Sequence, residues 1–503
     1  MPDFISSRRA RVLVFATLLT AFAAPALAQL PTLGDPSEMT SSAERKLGER
    51  IARELYRDPD YIDDPVLAEY VQGVWQPLLA AARVRGELTS ELDQRFAWQV
   101  LLGKDRSINA FALPGGWLGL HMGLVSVTAT RDELASVLAH ELSHVTQRHI
   151  SRLVSQEKRQ APWIIGAMIL GALAASKSAD AANAVMAGSQ ALAIQNQLNF
   201  SRDMEREADR IGLGVMTQAG FEPQGFVAMF EKLQQAARLN DAGAFPYLRT
   251  HPMNSERIAD VQARQQLGAR APAALDGSME HLMMAGRARA LTDAGVEGLR
   301  ARWKEAEGSR TEGLSAARQA GILYAGALAA AKLREHGSAS RLVTRLSTLA
   351  EGDPKATRLA RLLAAETALL AGDAAPAAAL NQQQGRGRPE LLLSAQAQLQ
   401  SARPQEAAQR LQPWVALHPR DATAWQLLAS AYTAQGQTLR AIRASAEAQV
   451  AVLDYAAAMD RFKAAQDLLR RGGGAASDHI EASIIDTRTR QVELLLREQT
   501  LEH

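Results

Sequence analysis

Two histidines four residues apart, with a glutamate after the first, constrain this chain most: His140-Glu141-Leu142-Ser143-His144. Residues at i and i+4 share a face on an α-helix, one turn apart. The flanks support a helix. Thr130 can cap it, Glu133 completes a capping box, and Leu134, Val137, Leu138, Leu142 and Val145 recur as an apolar stripe. Both imidazoles can then reach one metal ion, and they flank the apolar stripe, so the site is expected to be partly dry. Glu141 is placed to hold a water on that metal and take its proton, the general-base step of peptide hydrolysis. A pair of surface histidines on a solvated face is the plain alternative.

A second element argues against that alternative: Ser201-Arg202-Asp203-Met204-Glu205-Arg206-Glu207-Ala208-Asp209. A catalytic zinc centre takes three protein ligands and keeps one position open. Glu205 and Asp209 are again four apart, hence on one helix face. Glu205 can be the third ligand, and Asp209 can accept the outer N–H of a ligating histidine and fix its tautomer. Glu207 falls on another face. The chain has no cysteine, which excludes disulfides and thiolate ligands. A metal here must be held by His, Asp or Glu, which suits one Zn2+ per subunit. His121 and His149 read as structural or surface residues.

The 503 residues allow two or three domains. A net charge of +2 points to no nucleic acid and no acidic substrate. Alanine and glutamine are abundant and aromatics make up only 5%, so the fold class is expected to be mainly α. Arg8, Arg9 and Arg11, the apolar run Val12–Ala24 and the small-residue site Ala26-Leu27-Ala28 read as a secretory signal, residues 1–28, cleaved after Ala28. A Pro/Gly/Ser/Thr-rich linker, 29–42, follows. Residues 43–268 read as one α+β unit, with helical periodicity in Glu44–Tyr56 and Pro65–Arg83. Strand-like stretches follow at Phe96–Leu102 and Asn109–Val127. The second is broken by Pro114-Gly115-Gly116, a turn signal whose flanks can pair as a hairpin.

Past the Ala/Pro/Gly stretch Ala269–Gly277, residues 278–495 are helical by pattern. Trp425, Leu428, Ala429, Tyr432, Ala441 and Ala448 have tetratricopeptide-repeat spacing, and Leu391, Ala395, Ala407, Trp414 and Pro419 take equivalent places one period of 34 earlier. Gly337 and Pro354 are spaced like the turn and closing proline of another repeat. Such pairs stack into a solenoid, because each leaves an apolar face that only a neighbour covers. Trp163–Ala175 is apolar for 13 residues, too short to span a bilayer upright; it is either a buried or lid helix or a peripheral membrane contact.

The histidine motif, the Glu205–Asp209 segment and Asn109-Ala110-Phe111-Ala112-Leu113-Pro114-Gly115-Gly116 together resemble the peptidase family of the CAAX prenyl endopeptidases and the heat-shock protease HtpX. A cleavable signal, the lack of membrane spans and C-terminal repeats resemble the periplasmic members of that family. The resemblance implies a zincin-type metallopeptidase domain followed by an α-solenoid, with His140, His144 and Glu205 as zinc ligands and Glu141 as general base. It also implies that the strand near Asn109, Phe111 and Leu113 binds substrate backbone as an added strand. It points further to Thr250-His251-Pro252 and Arg257. His251 would either cap the metal or stabilise the oxyanion, and Arg257 would join the substrate-binding residues. The implied function is a periplasmic zinc endopeptidase with a chaperone-like repeat domain. Its partners would be unfolded or misassembled outer-membrane proteins and, through the repeats, the outer-membrane assembly machinery. The alternative is an assembly chaperone or scaffold in which client binding outweighs proteolysis.

Overall fold

Asp64 and Pro65 open a long helix, Pro65–Val84. The Asp64 carboxylate accepts the Leu67 N–H at 2.9 Å, and proline takes the first turn, where no amide donor is missed. The helix carries Val66, Leu67, Val71, Val74, Trp75 and Leu78 into the core. The computed structural model describes residues 39–156, 202–238, 247–252, 255–267, 277–293, 295–308, 313–380, 387–471 and 479–501. The signal segment, most of the linker and Trp163–Ala175 lie outside the described residues. No described helix is long and apolar enough to cross a membrane.

The strand-like stretches form one small sheet. Strand β1 is Gln99–Gly103, β2 is Ala110–Leu113 and β3 is Trp117–His121. Pro114-Gly115-Gly116 turns the chain between β2 and β3, with φ of 72° at Gly115 and 84° at Gly116, left-handed values that glycine adopts without strain. β2 and β3 pair antiparallel from Ala110↔Leu120 to Leu113↔Trp117, and β1 adds parallel to β3. The order β1-β3-β2 leaves β2 on an edge of the sheet. The reading of Asn109–Val127 as strand on both sides of the turn is corrected here. Pairing stops at His121, and Met122–Val127 is a helix with Met122, Leu124 and Val125 buried. A short apolar run does not distinguish a buried strand from a buried helical turn. Tertiary contact decides it, as Gly123 N–H donates to Asp105 O at 3.0 Å.

The motif lies on the helix Arg131–Thr146. Thr130 Oγ1 accepts the Glu133 N–H at 3.1 Å, and the Glu133 carboxylate reaches back to Ala129 N at 2.6 Å and to Lys232 Nζ at 2.7 Å. The expected cap is present, displaced by one residue on its return arm. Every residue from Glu133 to Thr146 is buried, so the helix is enclosed on all sides rather than along one stripe.

From Met279 onward the described chain is helical. The pair Arg388–Gln400 and Pro404–Leu417 recurs 34 residues later as Ala422–Ala434 and Thr438–Ala451, an array consistent with repeats. Leu391, Ala395, Ala407, Trp425, Leu428, Tyr432, Ala441 and Ala448 share one apolar cluster, and Trp414 and Ala429 pack against it. A larger cluster runs without a break from Val66 through the motif helix to Ala397. Polar contacts reinforce this union at the start of Pro65–Val84. Arg287 grips Asp64 through two bonds of 2.8 and 2.7 Å and reaches Glu366 at 2.6 Å and the Tyr324 hydroxyl at 3.0 Å. Arg358 bridges Glu390 and Glu69, and Arg388 bridges Asp63 and Asp421.

Removing one partner of a buried ion pair strands the other charge. Arg287→Ala is therefore expected to lower stability by about 3–5 kcal/mol, read as a fall in the thermal midpoint. Arg341→Ala, on the exposed Arg341–Glu307 bridge, should stay within about 0.5 kcal/mol. Equal effects of the two would refute the clamp.

Candidate metal centre

Helix Arg202–Gln218 brings Glu205 and Asp209 under the motif helix. Glu205, Asp209 and Gly212 follow i, i+4, i+7 and share one face. Gly212 permits the approach, because a Cβ there would lie 3.1 Å from His140 N and 3.2 Å from Ala139 O. The Tyr247–Thr250 turn supplies His251, whose amide donates to Tyr247 O at 2.9 Å and whose ring stacks on Tyr247 at 4.6 Å.

These elements converge. His140, His144, Glu205 and His251 each offer a ligand atom, all within 4.8 Å of one another, and all four side chains are buried. The Nε2 atoms of His140 and His144 are 3.0 Å apart. Two nitrogens bound to one tetrahedral zinc at about 2.0–2.1 Å are separated by roughly 3.3 Å, so the spacing fits. His251 Nδ1 lies 3.3 Å from His140 Nε2 and 2.9 Å from Glu205 Oε1. Glu141 is fully buried beside them. Its Oε2 accepts the Ala112 N–H of β2 at 2.8 Å, and its Oε1 has no hydrogen-bond partner among the described residues. Three buried imidazoles and a carboxylate converging within 4.8 Å, beside the unpartnered Glu141 oxygen, are a donor set that fits a divalent metal.

The surroundings set the charges. Burial pulls His140 down, but Asp209, 2.9 Å from Nδ1, and Glu205 outweigh it and push its pKa up to about 10. Burial and the charge on His140 hold His144 well below the imidazole range. Burial raises the Glu141 carboxyl, against the pull of His251 and His140. Burial opposes ionisation of Glu205 too, yet His251 and His140 hold it well below the carboxylate range.

Arg257, expected among the substrate-binding residues, lies inside instead. It is 2% exposed, bonds both Asp209 oxygens at 2.7 Å, approaches Glu205 Oε2 at 2.7 Å and donates to Pro252 O at 2.9 Å. The strand residues also sort differently. Asn109 O accepts from His121 N, and alternation along an antiparallel pair turns the backbone of Phe111 and Leu113 toward β3 as well. The groups facing the free edge belong to Ala110 and Ala112, as the Ala112–Glu141 bond demonstrates. Leu113 is core and Phe111 is half-buried. His121 and His149 are both buried, so neither is a surface residue. Tyr247 carried no sequence signal, being remote in sequence from the histidine motif.

Gly212→Val should push the two helices apart. Overpacking of this kind costs about 1–3 kcal/mol, and the metal content of the purified protein should fall; wild-type metal content would refute the close crossing.

Comparison with known proteins agrees with this geometry. Peptidase family M48 matches residues 68–265. The β-barrel assembly-enhancing protease of Escherichia coli K12 is 30% identical over 86% of this chain and 87% of its own. A Vibrio cholerae relative of similar name is 37% identical over 48% of this chain and 49% of its own length. The mitochondrial metalloendopeptidase OMA1 of Schizosaccharomyces pombe is 33% identical over 33% of this chain and 46% of its own. With a near-full-length match of that identity and the donor cluster at its core, this chain belongs to peptidase family M48 and is a metalloendopeptidase.

Proposed function

We propose that the chain is an exported zinc endopeptidase of the periplasm that acts in assembly and quality control of outer-membrane proteins by degrading misfolded or stalled clients. The observation that carries this reading is the convergence of His140, His144, Glu205 and His251 beside Glu141, whose carboxylate is tied to an edge strand. The names of the near-full-length relatives support the client class.

In this reading His140, His144 and Glu205 hold one Zn2+ per subunit, and Asp209 orients His140. Bound zinc supplies Lewis acidity toward the scissile carbonyl and a lowered pKa for an attacking water. Glu141 takes the proton of that water; its anchorage to Ala112 keeps the carboxylate at the substrate edge. His251 offers a ligand atom within 4.8 Å of those of the other three and would cap a bound metal until substrate displaced it. An extended client segment adds to β2 through Ala110 and Ala112, a mode that reads backbone rather than side chains and suits unfolded chains.

The wider layout follows the same reading. Residues 1–28 are a signal peptide, 29–42 a linker, 43–268 the peptidase domain and 278–495 tetratricopeptide repeats. The repeats recruit clients or the outer-membrane assembly machinery, and Trp163–Ala175 either lids the site or touches a membrane surface. A pure chaperone has no use for a buried carboxylate held at 2.8 Å from an edge strand, which favours cleavage.

Glu141→Gln should reduce cleavage of an unfolded outer-membrane protein by about 10²–10⁴-fold while metal content and client binding persist. If that variant restores envelope integrity in a deletion strain as well as wild type does, the chaperone reading is correct. His251→Ala should increase cleavage by freeing the fourth position. Decreased cleavage would instead give His251 an oxyanion-stabilising role.

A further inference from the structure

His144 turns Nε2 toward the cluster and so turns Nδ1 away from it. That outward nitrogen meets a second imidazole, with His149 Nδ1 at 2.9 Å. His149 Nε2 lies 3.0 Å from Glu207 Oε2, which also accepts from Arg152 Nη1 at 2.9 Å. His140 differs, having the Asp209 carboxylate directly at its outward nitrogen, 2.9 Å away. The chain is bent to bring His149 into place. The motif helix ends at Thr146, Arg148 takes a left-handed φ of 53°, and the next helix starts at His149. A non-glycine residue in that region costs about 1 kcal/mol or more and persists only when its neighbours hold it; here Arg148 Nε is bound to Glu44 at 2.9 Å.

The proton positions follow from the order of contacts. A ring nitrogen that ligates a metal must offer its lone pair, so His144 bound through Nε2 carries its proton on Nδ1. That proton points at His149 Nδ1, which must accept it. His149 then carries its own proton on Nε2 and donates it to Glu207. The opposite tautomer of His149 would set two N–H groups against each other at 2.9 Å and leave a carboxylate facing a lone pair.

We propose that His149 and Glu207 are positioning residues that hold His144 in its metal-ligating tautomer and orientation, a relay through one imidazole to a carboxylate. The proposal rests on His144 being a ligand, as read above. It extends to the second histidine the support that Asp209 provides to the first, through a residue whose sequence position alone suggested no role.

The test uses the full-length protein and Zn2+ alone, with affinity read by competition against a chromophoric chelator. His149→Phe keeps ring bulk but removes the acceptor, and it should weaken zinc binding about 10–100-fold. His149→Gln can accept from His144 and donate to Glu207, and it should stay within about threefold of wild type. Glu207→Ala should fall between them. Zinc affinity of His149→Phe equal to wild type, or His149→Gln as weak as His149→Phe, overturns the relay. His144→Ala separates the two layers: if it leaves zinc affinity unchanged, the ligand assignment itself fails. Nitrogen NMR of the zinc-loaded wild-type protein needs no variant. Protons on His144 Nδ1 and His149 Nε2 are expected, and a proton on His149 Nδ1 overturns the proposal.

Discussion

The centre depends on Arg257. Burying carboxylates this deeply is costly unless a cation meets them. Arg257 supplies a permanent one, because its guanidinium does not deprotonate. It holds Asp209 through two parallel bonds and meets Glu205 from the side. Asp209 is thereby kept ionised despite its burial, and so can face His140. The same guanidinium donates to Pro252 O, so the segment carrying His251 is tied to the helix carrying Glu205. Phe230 lies under it with its ring centroid 5.2 Å from the guanidinium carbon, a cation–π contact that fills the remaining face.

Closure follows from the same packing. The motif helix is enclosed on every side, and the donor atoms are shielded from water. A low-dielectric surround strengthens each charge contact within it. The Tyr247–Pro252 segment is tied to the cluster by the His251–Glu205 contact of 2.9 Å and by the Arg257 bond to Pro252 O.

The helical array is part of this body rather than an appendage. Pro65–Val84 touches the motif helix on one side and helices of the array on the other. Asp63 and Asp64 stand just before its first residue and Glu69 in its second turn, and these acids are gripped by Arg388, Arg287 and Arg358. Apolar burial and charge pairing thus act at one joint.

Much of this was legible in residue spacing. His140 and His144, Glu205 and Asp209, the cap at Thr130, the turn at Pro114-Gly115-Gly116 and the 34-residue recurrence are local patterns, and helices and hairpins are local structures. Spacing failed where a partner came from elsewhere. The apolar residues after His121 gave no sign of where pairing would stop. His149 read only as a structural or surface residue, because its contact with His144 runs across a turn with unusual backbone geometry. The family resemblance put Arg257 among the substrate-binding residues, and nothing in its neighbourhood of the sequence announces the two carboxylates it meets from another helix.

The division has one physical reason. Periodicity and capping act within a few residues, so the motif helix and its donor residue types were set along the chain. Which donor atoms converge, which edge of β2 is free, and which charges neutralise one another depend on the approach of helices far apart in sequence. That approach was chosen by packing, with Gly212 at the crossing and Arg257 holding the charges that the crossing buried.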